Sequence, residues 1–240
     1  MKQIFIGICA HNEEQDLART IDSISSAMRA TSYPFKILVH DDGSTDSTRA
    51  IATEKADYVS FTDDRRGLAE AFRLNLAACL ARGADIFVHI DADGQYPADK
   101  IPELIKEVEN GADLAIGSRF LIKKGYRNSW HKALGNTLFS RGYALFLGTP
   151  ITDLTSGFRA MTKEFAQAIT IRSKFTYTYD QYIQAILGKY KIKEIPIQGS
   201  PTRKSRLMKN GWHYMRRAAA DIYAYYPEWK KAAASQKYQP

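Results

Sequence analysis

Three short apolar runs in this chain each break off into polar or acidic residues. Ile4–Ala10 ends at His11-Asn12-Glu13-Glu14, Phe35–His40 at Asp41-Asp42-Gly43-Ser44, and Asp85–Ile90 at Asp91-Ala92-Asp93-Gly94-Gln95. Helical patterns lie between them. Leu17, Ile21, Ile24 and Met28 recur at spacings of four, three and four, which marks one face of a helix. A second helix is expected from about Ser47 to Ala56, with Asp46 or Ser47 as its cap. A third follows Gly67, carries Leu68, Phe72 and Leu76 on one side, and stops near Gly83. Tyr58–Thr62 and Asp113–Gly117 read as further strands, and Ile101–Glu109 as a helix. Strands alternating with single helices imply a parallel sheet with right-handed crossovers. Ligands of such sheets bind beyond the carboxyl ends of the strands. All three polar clusters fall on that edge, so an active site is expected there.

After Phe120 the pattern loosens. Lys123–Arg127 reads as a basic loop, Trp130–Leu147 as helical in composition, and Thr152–Arg159 as a polar, turn-rich loop. A helix from about Asp180 to Leu187 and a strand near Ile192–Ile197 return the chain to the sheet. A length of 240 residues, 45% hydrophobic, suits one such α/β domain. That domain is expected over residues 1–207, with a basic, aromatic helical extension over 208–240. The formal charge of +8 fits an anionic partner: phosphate, nucleic acid or acidic lipid. Cys9 and Cys79 make neither a disulfide framework nor a zinc spacing, and fit a reducing cytoplasm. No run approaches the ~20 apolar residues of a membrane span, so any membrane contact is expected to be peripheral. In the extension, Trp212, Tyr214, Tyr223, Tyr225, Tyr226 and Trp229 lie among Lys209, Arg216, Arg217, Lys230 and Lys231. That mixture suits a membrane interface, or a helix packing its aromatics back onto the domain.

Asp91 and Asp93 leave a buried strand two residues apart, with Gln95 nearby. Such a set can hold a hard divalent ion, Mg²⁺ or Mn²⁺, whose shell is completed by substrate phosphates. Asp41-Asp42-Gly43-Ser44 offers acceptors for a ribose or base edge, or ordinary turn chemistry with a helix cap. Arg119, after Gly117-Ser118, stands where a guanidinium could neutralise a pyrophosphate. Arg203, Lys204 and Arg206 make a candidate phosphate clamp. The alternative for both is solvated surface charge. Asp153 and Thr155-Ser156-Gly157-Phe158-Arg159 read as a tight loop whose chemistry composition does not decide.

Taken in order, these pieces resemble the family 2 glycosyltransferases, and within them the dolichol-phosphate mannosyltransferase branch. The matching stretches are Asn12-Glu13-Glu14, Asp41-Asp42-Gly43-Ser44-Thr45-Asp46 and Asp91-Ala92-Asp93-Gly94-Gln95-Tyr96-Pro97. Gly117-Ser118-Arg119-Phe120, Asp153-Leu154-Thr155-Ser156-Gly157-Phe158-Arg159-Ala160 and Glu194-Ile195-Pro196-Ile197 follow. The resemblance spans about residues 3 to 207. It implies a GT-A fold, a Rossmann-like and mostly parallel sheet flanked by helices, and inverting transfer from a nucleotide-diphosphate sugar. By position it implies that Asp91, Asp93 and Gln95 hold metal and donor diphosphate, with Ala92 between them at the nucleotide sugar. It places Glu13, Asp41 and Asp42 at the nucleoside, and Arg119 and Arg203 at phosphate groups of donor or acceptor. Asp180 falls where the family has a carboxylate ahead of its last helix. Where the family often has Pro and an aromatic residue, this chain has Cys9 and His11, and its basic loop Arg203-Lys204-Ser205-Arg206 lacks the usual glycine.

The expected reaction is an in-line displacement at the anomeric carbon, with metal and arginines stabilising the leaving diphosphate. A polyprenyl-phosphate acceptor, favoured by the basic loop, is already ionised; a sugar hydroxyl would need a base, for which Asp180 is the candidate. The competing readings are transfer to a hydroxyl of a polysaccharide or glycolipid, nucleotidyl transfer, and non-catalytic binding of nucleotide, nucleic acid or anionic membrane. Nucleotidyl transfer lacks a glycine-rich triphosphate loop here, and a pure binder leaves the aspartate clusters unexplained. Nucleic acid is therefore not expected as a partner. Paired carboxylates of a glycoside hydrolase would flank the scissile bond rather than share one strand end.

Overall fold

A computed structural model describes residues 1–122, 151–174, 176–199, 223–228 and 230. Among them lies a sheet of seven strands: β1 (Ile4–Ala10), β2 (Phe35–Asp42), β3 (Tyr58–Thr62), β4 (Ile86–His89), β5 (Leu114–Ser118), β6 (Arg159–Thr162) and β7 (Ile192–Pro196). Their order is β3-β2-β1-β4-β6-β5-β7. Ile4 of β1 pairs in parallel with Phe35 on one side and Ile86 on the other. Only β6 runs against its neighbours, antiparallel to both β4 and β5. The helices are α1 (Leu17–Arg29), α2 (Thr48–Lys55), α3 (Leu68–Ala81), α4 (Ile101–Glu109), α5 (Lys163–Ala168) and α6 (Thr178–Leu187).

Side chains that alternate along the strands feed two cores, one on each sheet face. Ile4, Ile6, Ile8, Ile37, Val39 and Val88 pack with α1 and α4. Phe5, Leu38, Phe87, Leu114 and Ile116 pack with α3, α5 and α6. The periodic residues Leu17, Ile21, Ile24 and Met28 are all at most 1% exposed. Burying each contributes roughly 1.5–3 kcal/mol, which fixes the face that α1 turns inward.

The expected strand–helix alternation holds through β5. Asp46 rather than Ser47 caps α2: its Oδ1 accepts from Thr48 N at 2.9 Å, and the Ser47 side chain makes no cap bond. The larger departure is β6. The expected loop Thr152–Arg159 ends by opening this strand, which sits between β4 and β5 and makes the sheet mixed rather than wholly parallel. A four-residue strand flanked on both sides has no exposed alternation to betray it, and it begins with an arginine that is 0% exposed. The expected basic loop Lys123–Arg127 and helix Trp130–Leu147 lie outside the described residues, as do Arg203, Lys204, Arg206 and most of the extension. No helix among the described residues is long and apolar enough to cross a membrane.

From β1 the chain winds outward through β2 to β3, then returns to β4 on the other side of β1. The winding reverses between β1 and β4, and such a switch point opens a crevice at the carboxyl ends of the strands. Glu13 follows β1 there and Asp91 follows β4.

Candidate active site

The loops after β1 and β2 interlock through side-chain to backbone bonds. Asn12 N donates to Ser44 Oγ at 2.9 Å, and Thr45 N returns a bond to Asn12 Oδ1 at 2.9 Å. Glu13 N donates to Thr48 Oγ1 at 2.7 Å, and Ser47 N to Glu14 Oε2 at 3.1 Å. Asn12 adopts φ 54°, a left-handed conformation that asparagine tolerates better than most residues. The matched motifs Asn12-Glu13-Glu14 and Ser44-Thr45-Asp46 therefore build one rim, each loop satisfying the other's backbone.

Asp41 and Asp42 are 0% and 3% exposed. Asp41 accepts from Arg49 Nε at 2.8 Å and Ser44 N at 3.2 Å. Asp42 accepts from Arg66 N at 2.6 Å and Gly67 N at 2.9 Å, which draws the loop after β3 over the rim. Gly43 turns the chain at φ +64°, where a Cβ would lie 2.6 Å from Arg65 N. These two carboxylates, expected at the nucleoside, thus spend their strongest bonds on shaping the rim.

The β4 end is different. Ala92 is buried, with its carbonyl accepting from Thr20 Oγ1 of α1 at 2.9 Å, and Gly94 turns at φ +67°. Gln95 donates to Asp93 from both its backbone N, 3.1 Å to Oδ1, and its Nε2, 2.7 Å to Oδ2. The Gln95 side chain thus lies against Asp93, within the expected metal set. Asp91 accepts no hydrogen bond among the described residues, and His89 Nδ1 lies 4.0 Å from its Oδ1. Burial pushes its carboxyl up to about 6, with Arg119 opposing and the Glu13 charge adding to the push. The side chain keeps 37% of its surface open, so water at the tip softens that push without reversing it. Glu13 and Asp91 follow neighbouring strands, so both stand at the switch point of the sheet.

The run that composition left undecided lies directly beneath Asp91. A Cβ on Gly157 would meet Tyr177 Oη at 2.7 Å and Asp91 Oδ1 and Oδ2 at 2.9 and 3.1 Å. The glycine is there because its neighbours fill the space a side chain would take. Its N–H donates to Tyr96 Oη at 2.8 Å and its carbonyl lies 2.9 Å from His89 Nδ1. Arg159 is fully buried, donating to the carbonyls of Ser156, Thr178 and Leu154 at 2.7, 3.0 and 3.1 Å and to Gln181 Oε1 at 2.9 Å. Its charge reaches Asp91 and helps keep it ionised.

Arg119 leaves β5 and meets Asp153 through Nε, 2.7 Å to Oδ2, and Nη2, 2.9 Å to Oδ1. Its guanidinium also reaches Thr155 Oγ1 at 2.8 Å. Asp153 is held in turn by Glu194 of β7, which accepts from the N–H groups of Thr152 and Asp153 and from Tyr182 Oη at 2.8 Å. Glu194 of the Glu-Ile-Pro-Ile stretch is thus the anchor of the arginine. Asp180, the candidate base, is 1% exposed and turned to other partners. It accepts from the N–H groups of Arg172 and Ser173 at 3.0 and 2.9 Å and from Tyr225 Oη of the C-terminal segment. That arrangement suits a socket for Tyr225 better than a base open to an acceptor.

The structure so brings Glu13, Asp91, Asp93 and Arg119 to one strand edge, sets Asp41 and Asp42 into its rim, and packs Asp180 behind. No group of three or more His, Cys, Asp and Glu among the described residues could hold a metal ion alone. Two carboxylates with substrate phosphates remain a sufficient set for Mg²⁺ or Mn²⁺. Asp91, open at its tip and accepting no hydrogen bond among the described residues, is the observation that fits such a cation.

This fold is the GT-A fold of glycosyltransferases. Glucosyl-3-phosphoglycerate synthase from Mycobacterium tuberculosis, solved in complex with Mn²⁺, UDP and glucosyl-3-phosphoglycerate, superposes with a TM-score of 0.71 at 20% identity, covering 91% of this chain and 79% of that one. The glycosyl transferase family 2 model matches residues 5–170. The polyprenol monophosphomannose synthase of Mycolicibacterium smegmatis is 31% identical over 201 residues, 79% of this chain and 74% of that protein. The dolichol-phosphate mannosyltransferase of Pyrococcus furiosus is 31% identical over 208 residues, 81% of this chain but 55% of that longer protein. The chain belongs to glycosyltransferase family 2.

Proposed function

We propose that this chain transfers a hexose, with inversion, from a nucleotide-diphosphate sugar of the GDP-mannose or UDP-glucose type to a polyprenyl phosphate. The observation that carries the reading is Asp91, a carboxylate at the switch point of the sheet, beside the Glu13 loop, that accepts no hydrogen bond among the described residues and keeps its tip open to the crevice. Asp91 and Asp93 would hold the divalent ion. When bound, that ion would supply positive charge against the donor diphosphate.

The remaining chemistry belongs to side chains. The interlocked rim of Asn12–Glu14 and Asp41–Thr48 orients the nucleoside without reorganising, since its backbone groups are already satisfied. Arg119, aimed by Asp153, adds fixed positive charge toward the leaving diphosphate; preorganised charge of this kind is commonly the largest catalytic contribution. A phosphate acceptor attacks already ionised, so no side chain has to remove a proton. Asp180 is then left to its socket, and Arg203, Lys204 and Arg206 to the acceptor phosphate. The names of the relatives support the phosphate acceptor over a sugar hydroxyl. Exposed Tyr223 and Tyr226, whose rings stack with centroids 5.8 Å apart, suit a peripheral contact with the cytoplasmic membrane face where such a lipid resides.

Thermal stabilisation by GDP, UDP and CDP, each with and without Mn²⁺, tests the donor half. One nucleotide should raise the melting temperature in a metal-dependent way, because a ligand bound only by the folded state stabilises it by mass action. No shift with any of the three would remove the reading and favour a non-catalytic binder.

A further inference from the structure

Arg159 opens β6, the strand between β4, which delivers Asp91, and β5, which delivers Arg119. It pairs with His89 on one side and with Ile116 on the other. A guanidinium stays charged at any ordinary pH, and a wholly buried one normally has a carboxylate beside it. Arg159 is wholly buried and has no carboxylate within ion-pair distance among the described residues. Its four hydrogen bonds run to the carbonyls of Ser156, Thr178 and Leu154 and to Gln181 Oε1. The ring of Tyr182 lies against it, with the centroid 4.8 Å from Cζ. All of these partners are neutral. Arg119 differs, because Asp153 already takes up its charge through two bonds.

Gln181 shows that the missing counter-charge is not for want of a place to put it. An arginine can only donate, so the amide turns its oxygen to Nη1 at 2.9 Å. That choice leaves Gln181 Nε2 buried with no hydrogen-bond partner. A glutamate of the same size would pair the buried cation and remove the stranded N–H donors. On stability alone glutamine is therefore the poorer residue here, and the one thing glutamate would take away is net positive charge. We propose that Arg159 supplies an unneutralised positive charge beneath the donor site, directed at the diphosphate of the nucleotide, and that Gln181 keeps it unneutralised. The field of Arg159 is felt at Asp91 and at Asp153, the two carboxylates on either side of β6. Arg159 touches no ligand itself; it acts through a core where water does not screen it. The inference rests on the function proposed above and adds to Arg119 a second cation, in a role that the motif match leaves open.

Two variants at Gln181 separate charge from packing. Gln181→Glu keeps the bond to Nη1 and neutralises the guanidinium; Gln181→Met loses the bond and leaves the charge. The melting temperature of the ligand-free proteins is measured beside a calorimetric titration with GDP and with UDP at fixed Mn²⁺. A unit charge ~10 Å from an anion, at an effective dielectric of ~20, corresponds to roughly tenfold in affinity. Gln181→Glu should melt no lower than wild type yet bind the diphosphate about tenfold more weakly. Gln181→Met should melt lower and bind as the wild type does. A role confined to packing would move stability and affinity in the same direction. Wild-type affinity in Gln181→Glu, an equal loss in Gln181→Met, or a Gln181→Glu protein that melts below Gln181→Met would each overturn the assignment. If the wild type binds neither GDP nor UDP, the proposed function itself fails, a result distinct from all of these.

Discussion

His89 Nδ1 lies 4.0 Å from Asp91 Oδ1, and burial moves their protonation in opposite directions. The Asp91 carboxyl rises from 3.8 to about 6, and the His89 imidazole falls from 6.5 to about 4. As pH drops through 6, folded Asp91 takes up a proton that the unfolded chain does not yet bind, so its contribution to stability grows. Over the window from 6.5 to 4 the unfolded chain protonates His89 while the folded chain does not, so that contribution shrinks. The two slopes oppose one another. Asp91→Asn removes the first and exposes the second. The variant should be more stable than wild type at pH 7, by about 1 kcal/mol once the exposed tip is allowed for, and should lose stability from pH 6.5 to 4 more steeply. Urea unfolding across pH 4–7 checks both.

The same substitution should abolish the metal-dependent part of nucleotide binding. In the wild type, that part should weaken on acidification through about 6 as Asp91 protonates. Calorimetric titration of Mn²⁺ with nucleoside diphosphate at pH 7.5 and 5.5 measures the difference.

Gly157→Ala puts a methyl 2.7 Å from Tyr177 Oη and 2.9 Å from Asp91 Oδ1. Overpacking of this kind costs roughly 1–3 kcal/mol. Because the wedge enters between two site residues, transfer should fall by more than the loss of folded protein explains. Active-site titration of the soluble fraction separates the two effects.

Arg119→Ala leaves Asp153, which is 0% exposed, without its bidentate partner. Stranding a buried charge destabilises by about 3–5 kcal/mol. Arg119→Ala with Asp153→Asn should regain much of that stability but not the transfer rate, since the cation itself is the group proposed to act. A double-mutant cycle in denaturant, run beside a rate assay, decides this.

Asp180→Asn should free the Tyr225 segment while lowering transfer to a phosphate acceptor less than tenfold, because no proton is removed there. Limited proteolysis near residues 223–228 should quicken in the variant. A loss of several orders of magnitude in transfer, with the segment still protected, would restore Asp180 as a base.

The strand ends were readable because a buried run must expose its polar groups where it stops; Glu13, Asp91 and Asp93 announce themselves that way. The rim was half readable. The motif residues stood out, but that Asn12 turns left-handed to accept from Thr45 is a long-range bond that no local pattern carries. Gly157 and Arg159 looked like ordinary loop residues, because their reasons are Asp91, Tyr177 and a set of carbonyls brought in from other elements. Asp180 followed the family's spacing, yet its partner Tyr225 lies 45 positions along the chain, beyond the reach of any periodicity.

The most direct test of the proposed function is transfer itself. The protein is incubated with labelled GDP-mannose or UDP-glucose, Mn²⁺, and either a polyprenyl phosphate or the corresponding dephosphorylated polyprenol. One donor should yield a lipid-extractable glycosyl phosphate with the phosphate acceptor alone, and chelation of the metal should abolish it. Equal transfer to the alcohol, transfer that survives chelation, or no lipid product from either donor would contradict the account.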